Sequence, residues 1–301
     1  MKRIPYFDLA KGVCILLVVW FHLGVHSVFD PYLNAVRMPL YVFLSGLFFK
    51  TYGGLLQLVR KKTKKLLIPF FFFYLTTSVL LPIAAHKVFG INFNTGQDWR
   101  LLYAFLTYSD FPNIPLWFLW GLFILNVSFY VLQKYIKSEI LLGLCCLGLG
   151  ILLGNVLTLP ASVSRAFSYF FYFYLGYMVT RHAIMEKVSV RHVLPVSFLM
   201  FLVLGLCNPT SEVLSYVWQS MLSVTGVLTL LLLCKQIEYL PYVSYVGRYS
   251  IMLLVTHEPL IRVLSLMHIN NPCAGFLILA VSYLFIIPFM RRFMPHVTAQ
   301  K

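Results

Sequence analysis

FDLAKGVCILLVVWFHLGVHSVF, residues 7–29, holds no Asp, Glu, Lys or Arg after Lys11. The 18 residues from Gly12 to Phe29 would make a helix about 27 Å long, close to the thickness of a bilayer's hydrocarbon core. Met1, Lys2 and Arg3 ahead of it give the start of the chain the look of a secretory signal. Asp8 and Lys11 interrupt that pattern, and no small-x-small cleavage site follows Val28. The stretch therefore reads as a first membrane helix that stays in the protein.

The rest of the chain has the same character. Of 301 residues, 60% are hydrophobic, 17% aromatic and only 11% charged. Water-soluble chains of this size are roughly 45–50% apolar and about 25% charged, so lipid must solvate much of this one. In lipid every backbone N–H and C=O needs an internal partner, which leaves helices or a closed barrel. The apolar runs are long and continuous, unlike the alternating ten-residue strands of a barrel, so the fold class is all-α integral membrane. A single polytopic domain over 1–301 accounts for the whole chain. The six cysteines show neither C-x-x-C spacing nor His partners at metal-ligand spacing, and read as small apolar helix residues.

About ten spans follow from the hydropathy, at about 10–29, 36–52, 66–86, 115–134, 140–157, 165–181, 193–208, 213–234, 247–267 and 272–290. Numbering the connections alternately from a cytoplasmic N-terminus puts 19 of the 24 Lys and Arg inside and 5 outside. That bias fits about ten helices with both termini cytoplasmic. It also gives the net charge of +15 a topological meaning, and with no basic soluble module left over, nucleic acid is excluded as a partner. The longest outside connection, Lys87 to Ile114, carries Asp98, Trp99, Arg100, Asp110 and Pro112, and has the length to cover an outward-facing cavity. Gly150 and Gly154 form a GxxxG pattern that reads as close helix packing.

An ionisable group inside a membrane is costly, so each one is a functional candidate. His22 leads. It follows Lys11 by eleven residues, about three helical turns, which sets both on one face with about 16 Å between them along the axis. Asp8 and His26 extend the stripe by helical spacing. Lys11 would sit near the cytoplasmic surface and His22 well inside the membrane, where neutral imidazole takes a proton from a hydroxyl as a general base. A buried histidine bonded to a neighbouring helix is the structural alternative. Arg60-Lys61-Lys62-Thr63-Lys64-Lys65 is the second candidate. It reads as a topology signal, as a cytoplasmic site for the phosphates of a nucleotide-containing donor, or as a seat for anionic headgroups of membrane lipids. The third is His257-Glu258 before Pro259, with Arg262 four residues beyond Glu258; an internal ion pair and a substrate-facing polar cluster are both open. No Walker loop, zinc-ligand spacing or nucleophile elbow occurs.

These motifs together resemble the acyltransferase-3 family of bacterial membrane acyltransferases, most of all its short, fucose 4-O-acetylase-like branch. That family carries a basic residue, ten residues and a histidine in its first helix. Lys11 and His22 match this within Phe7-Asp8-Leu9-Ala10-Lys11-Gly12, though Arg is usual at the first position. Four further matches follow in family order: Met38-Pro39-Leu40-Tyr41-Val42-Phe43-Leu44-Ser45-Gly46; Lys62-x-x-Lys65 where Arg-x-x-Arg is common; Leu116-Trp117-Phe118-Leu119; and Gly247-Arg248-Tyr249-Ser250 leading to His257-Glu258-Pro259. Arg37 stands where close relatives often have His.

The resemblance implies an enzyme of the bacterial cytoplasmic (inner) membrane that moves an acyl group, usually acetyl from acetyl-CoA, onto a hydroxyl. The acceptor it implies is a sugar of a lipid-linked or cell-surface glycan. His22 is then the base and Lys11 holds the donor or stabilises developing charge. Lys61, Lys62 and Lys65 hold the CoA phosphates. Arg37, Trp117, His257 and Glu258 belong to the acceptor side. A transient acyl-histidine that carries the group across the membrane is a second route to the same outcome. A transporter or flippase for a glycan or small molecule is the rival class, weakened by the lack of an evident repeat between the halves.

Overall fold

The computed structural model describes residues 4–90, 106, 113–207 and 212–298. Every regular element among them is helical. Most of the Lys87–Ile114 connection, including Asp98, Trp99, Arg100, Asp110 and Pro112, lies outside the described residues.

Helix α1, Pro5–His22, opens with Pro5 in its first turn, where a missing N–H costs nothing, and with Asp8 near its positive end. It stops because Gly24 takes a left-handed conformation, φ 76°, and donates its N–H to the Phe21 carbonyl. The expected span to residue 29 is thus too long at that end. His22 closes the helix instead of lying within it. His26 falls in the following turn, off the stripe, where its ring pairs with Asp30 at 3.2 Å. Helix α2, Asp30–Leu47, runs back beside α1.

The next span begins earlier than expected, because no helix breaker separates Leu55 from Leu66. Helix α3, Leu55–Lys62, starts behind Gly53 and Gly54, both at positive φ, and takes the basic run into its body. It continues through a π segment at Thr63–Leu67, α4 at Ile68–Phe73, a second π segment at Tyr74–Leu80 and α5 at Leu81–Phe89. Pro69 and Pro82 explain both wide turns. Each lacks an N–H and crowds the carbonyl four residues back, so the ladder ahead of it loosens.

Helices α6, Trp117–Tyr135, and α7, Glu139–Ile151, follow. Ser138 caps α7. The expected span at 165–181 is broken at Tyr169 into α8, Ala161–Ser168, and α9, Phe170–Arg181. A short α10, Ile184–Lys187, leads to α11, Val190–Leu206, and α12, Glu212–Ile237. Helices α13, Pro241–Arg248, and α14, Ser250–Leu266, meet at Tyr249 with a bend of 89°. Helix α15, Pro272–Phe293, completes the bundle.

Six helices among the described residues are long and apolar enough to cross a membrane, or seven if α13 and α14 make one bent span. A count of ten needs α2, the α8–α9 pair and α11 to cross as well. On α15 the exposed residues Leu277, Val281, Phe285, Phe289 and Phe293 repeat every four positions and form an apolar stripe that suits lipid.

Two pairs of glycines set the packing around α1 and α2. Gly12 of α1 lies against the Val243 carbonyl of α13, and Gly247 of α13 lies against the Asp8 carbonyl of α1. Gly46 of α2 and Gly176 of α9 meet the Phe173 and Phe43 carbonyls in the same reciprocal way. A Cβ at any of the four would strike backbone, so these helices cross at the closest approach a peptide allows. The GxxxG glycines also pack closely, Gly154 against the Ser168 backbone.

Candidate active site

Two polar centres lie along α1 and α14, at opposite ends. At the Lys11 end is a cavity of ≈ 240 Å³. Three cations line it: Lys11 from α1, Lys62 from α3 and Arg248 from the end of α13. No carboxylate is among its lining residues. Its walls are apolar, with Phe48 of α2, Phe118 and Leu122 of α6 and Leu254 of α14. The Lys11 ammonium stands over the Phe48 ring at 4.6 Å, and Tyr41 donates its hydroxyl to the Lys11 carbonyl at 3.3 Å. At the cavity rim Arg248 and Arg291 share the Tyr249 ring, at 5.5 and 4.8 Å from its centroid. Three cations lining a cavity with apolar walls suit a ligand with an anionic head and an uncharged body.

At the other end, His22 faces Glu258 across the α1–α14 contact. Its Nδ1 is 3.3 Å from Glu258 Oε2, and the two side chains are 20% and 14% exposed. The second carboxylate oxygen, Oε1, accepts from Arg262 at 3.3 Å, one turn further along α14. Glu258 is thus held on both sides. Since a carboxylate only accepts, the neutral ring carries its proton on Nδ1 and leaves Nε2 as a lone pair. His257 packs against the same ring, centroid to centroid 5.1 Å.

The two centres share one face of α14. Ser250, Ile251 and Leu254 line the cavity, and His257 and Glu258 follow Leu254 by three and four residues. The cavity wall therefore ends about 6 Å, one helical turn, short of the histidine pair. On α1 the interval from Lys11 to His22 is about 16 Å.

The other expected site residues are spread around this axis. Lys62 reaches the cavity, but Lys65 is not among its lining residues and is exposed. The π turn that starts at Thr63 carries Lys65 out of line with Lys62. Lys61 faces the Tyr52 ring at 4.3 Å. Arg37 is buried at the His22 end, its guanidinium 3.9 Å over the ring of Phe21. Trp117 stacks on Tyr169 at 6.4 Å, while its neighbours Phe118 and Leu119 line the cavity. Tyr41 and Ser45 belong to the second-helix motif but had no role assigned from sequence, and Phe48 was not singled out, although their spacing of four and three puts all three on one face of α2 and its C-cap.

Asn113 is a further residue the sequence did not flag. Pro259 has no N–H, so the Val255 carbonyl loses its helical donor. Asn113 supplies one, with Nδ2 at 2.9 Å from that oxygen. The same nitrogen donates to Thr77 Oγ1 at 2.8 Å, and the Asn113 N–H donates to Ser78 Oγ at 3.1 Å. A side chain just ahead of α6 thereby satisfies the carbonyl that Pro259 leaves open, in the turn that carries His257 and Glu258.

Comparison with known proteins agrees with this arrangement of motifs. The pattern of the acyltransferase domain that defines the acyltransferase-3 family matches residues 4–291. No curated protein and no solved structure matches the chain. The match runs from the start of α1 almost to the end of α15 and takes in both polar centres, and on it the chain belongs to the acyltransferase-3 family, as a membrane acyltransferase built from several apolar helices.

Proposed function

We infer that the protein transfers an acetyl or other short acyl group from acyl-CoA to a sugar hydroxyl of a lipid-linked or cell-surface glycan, with His22 as general base. The observation that carries this reading is the shared face of α14, which runs from the cationic cavity to the His22–Glu258 pair within about one turn. The bias of Lys and Arg supports a cytoplasmic position for the cavity, where acyl-CoA is made, in a bacterial inner membrane. Lys11, Lys62 and Arg248 hold the phosphates, and the uncharged arm rises along the apolar wall. The interval of about 16 Å between Lys11 and His22 gives Lys11 the donor-holding role rather than charge stabilisation at the reacting carbon.

The chemistry balances on the groups present. His22 Nε2 takes the proton of the acceptor hydroxyl as its oxygen attacks the thioester carbonyl. Glu258 stabilises the imidazolium and keeps the ring in the required tautomer, as the carboxylate of a triad does. Collapse of the tetrahedral intermediate breaks the C–S bond, and the proton passes from His22 to the departing thiolate. The products are an O-acyl ester and free CoA.

The test is donor dependence. Membranes containing the protein, given radiolabelled acetyl-CoA, should place label on an extractable glycan or glycolipid and release an equal amount of CoA. Glycan movement across the membrane without any CoA release would replace this reading with a transporter.

A further inference from the structure

The cavity at the Lys11 end, ≈ 240 Å³, is smaller than the roughly 300–1,000 Å³ that encloses a drug-sized molecule. CoA is longer than such a molecule: a pantetheine arm, a diphosphate, and a nucleotide with a further phosphate on its ribose. The cavity takes only part of it, so the nucleotide must lie beyond the rim. One part of that rim is the α13–α14 bend, where Arg248 lines the cavity and Tyr249 follows it. The Tyr249 ring is buried, and two guanidinium groups stand over it, Arg248 at 5.5 Å and Arg291 at 4.8 Å from its centroid. Both arginines are themselves exposed, so a ligand can reach them. Among the described residues neither pairs with a carboxylate.

Arg291 lies in the last turn of α15, where a basic residue ordinarily answers the helix dipole or marks the membrane surface. Its direction says more. Phe289 and Phe293 belong to the lipid-facing stripe, and Arg292 stands over the Phe293 ring at 5.6 Å. Ile287 is buried, and Arg291 follows it by four residues, so Arg291 continues the inward face of α15. Two like charges from different helices thus meet on one ring beside the cavity. We propose that Arg248 and Arg291 form a subsite for a phosphate monoester, the ribose phosphate of CoA. The subsite rests on the acyl-CoA reading of the cavity for the identity of its ligand. A monoester carries nearly two charges and three free oxygens, enough to engage two guanidinium forks at once. Lys11 and Lys62, which act as point charges, are left for the diphosphate. The consequence is donor selection. The protein takes acyl groups from CoA and passes over carriers that present a phosphopantetheine arm without the nucleotide.

The test is equilibrium binding of CoA and of dephospho-CoA, which lacks only the ribose phosphate, to the full chain in nanodiscs of neutral lipid at physiological salt. The wild type should prefer CoA by roughly tenfold or more, the scale of charge-assisted hydrogen bonds to one phosphate. Arg291→Gln should weaken CoA by about that factor and leave dephospho-CoA unchanged, which also shows that the variant is folded. Arg292→Gln removes an equal charge from the neighbouring position and should keep the preference, because salt screens charges that do not touch the ligand. A preference that survives Arg291→Gln overturns the proposal and gives that arginine to lipid headgroups or topology. Equal weakening of both ligands, or equal effects at Arg291 and Arg292, overturns it as well, since neither is a contact with the ribose phosphate. A wild type that binds neither compound removes the acyl-CoA reading itself and the subsite with it, a result distinct from the loss of the subsite alone.

Discussion

The two ends of the α1–α14 pair use charge in opposite ways. At the Lys11 end three cations face a cavity with no carboxylate among its lining residues. At the His22 end Glu258 is engaged on both oxygens by Arg262 and His22. A site for an anionic ligand needs positive charge facing the space the ligand fills. A catalytic pair answers its charge internally so that one nitrogen is aimed and basic. On the proposed reading the contrast separates groups that hold the donor from groups that move a proton, and the two should fail differently when altered.

The largest effect belongs to His22→Ala. Losing a positioned base should lower kcat by about 10²–10⁴-fold while the apparent KM for acyl-CoA stays near that of the wild type. Glu258→Gln should come next, with kcat down about 10²-fold, because the amide can donate to Nδ1 and stabilise the wrong tautomer. A loss that appeared in the acyl-CoA KM instead would erase the distinction between the two ends. Lys62→Ala should raise that KM by roughly tenfold, the scale of one charge-assisted hydrogen bond, with little change in kcat. Lys65→Ala should do much less, since the π turn takes it away from the cavity; equal effects at Lys62 and Lys65 would mean that the donor lies across the outer face of the helix. The smallest effect is expected for His26→Ala, which removes an exposed pair with Asp30 and should leave steady-state rates near wild type.

What the sequence made legible follows the same division. Composition and long apolar runs gave the membrane class, because lipid tolerates so few alternatives. Lys11 and His22 were legible because helical geometry turns eleven residues into three turns. The end of α1 was misjudged although Gly24 stood in plain view, since hydropathy rates glycine neutral and does not register its left-handed backbone. The basic run was expected to precede its helix and instead lies within it, because charge marks the membrane surface and not the helix end. The π turn that separates Lys65 from Lys62 arises from Pro69, a backbone effect that side-chain spacing does not carry. Asn113 was hidden for another reason: its role is defined by Val255, 142 residues away, and by a proline on that distant helix. The two glycine crossings explain why several motif positions are glycines at all, a packing demand shared between chain segments and unreadable in either alone.

The central claim is that a donor held at the Lys11 end reacts at the His22 end. The most direct test measures two quantities on purified His22→Ala in nanodiscs, equilibrium binding of acetyl-CoA and release of free CoA. The account expects binding like that of the wild type and no thioester cleavage above background. Cleavage at the wild-type rate in that variant would contradict it.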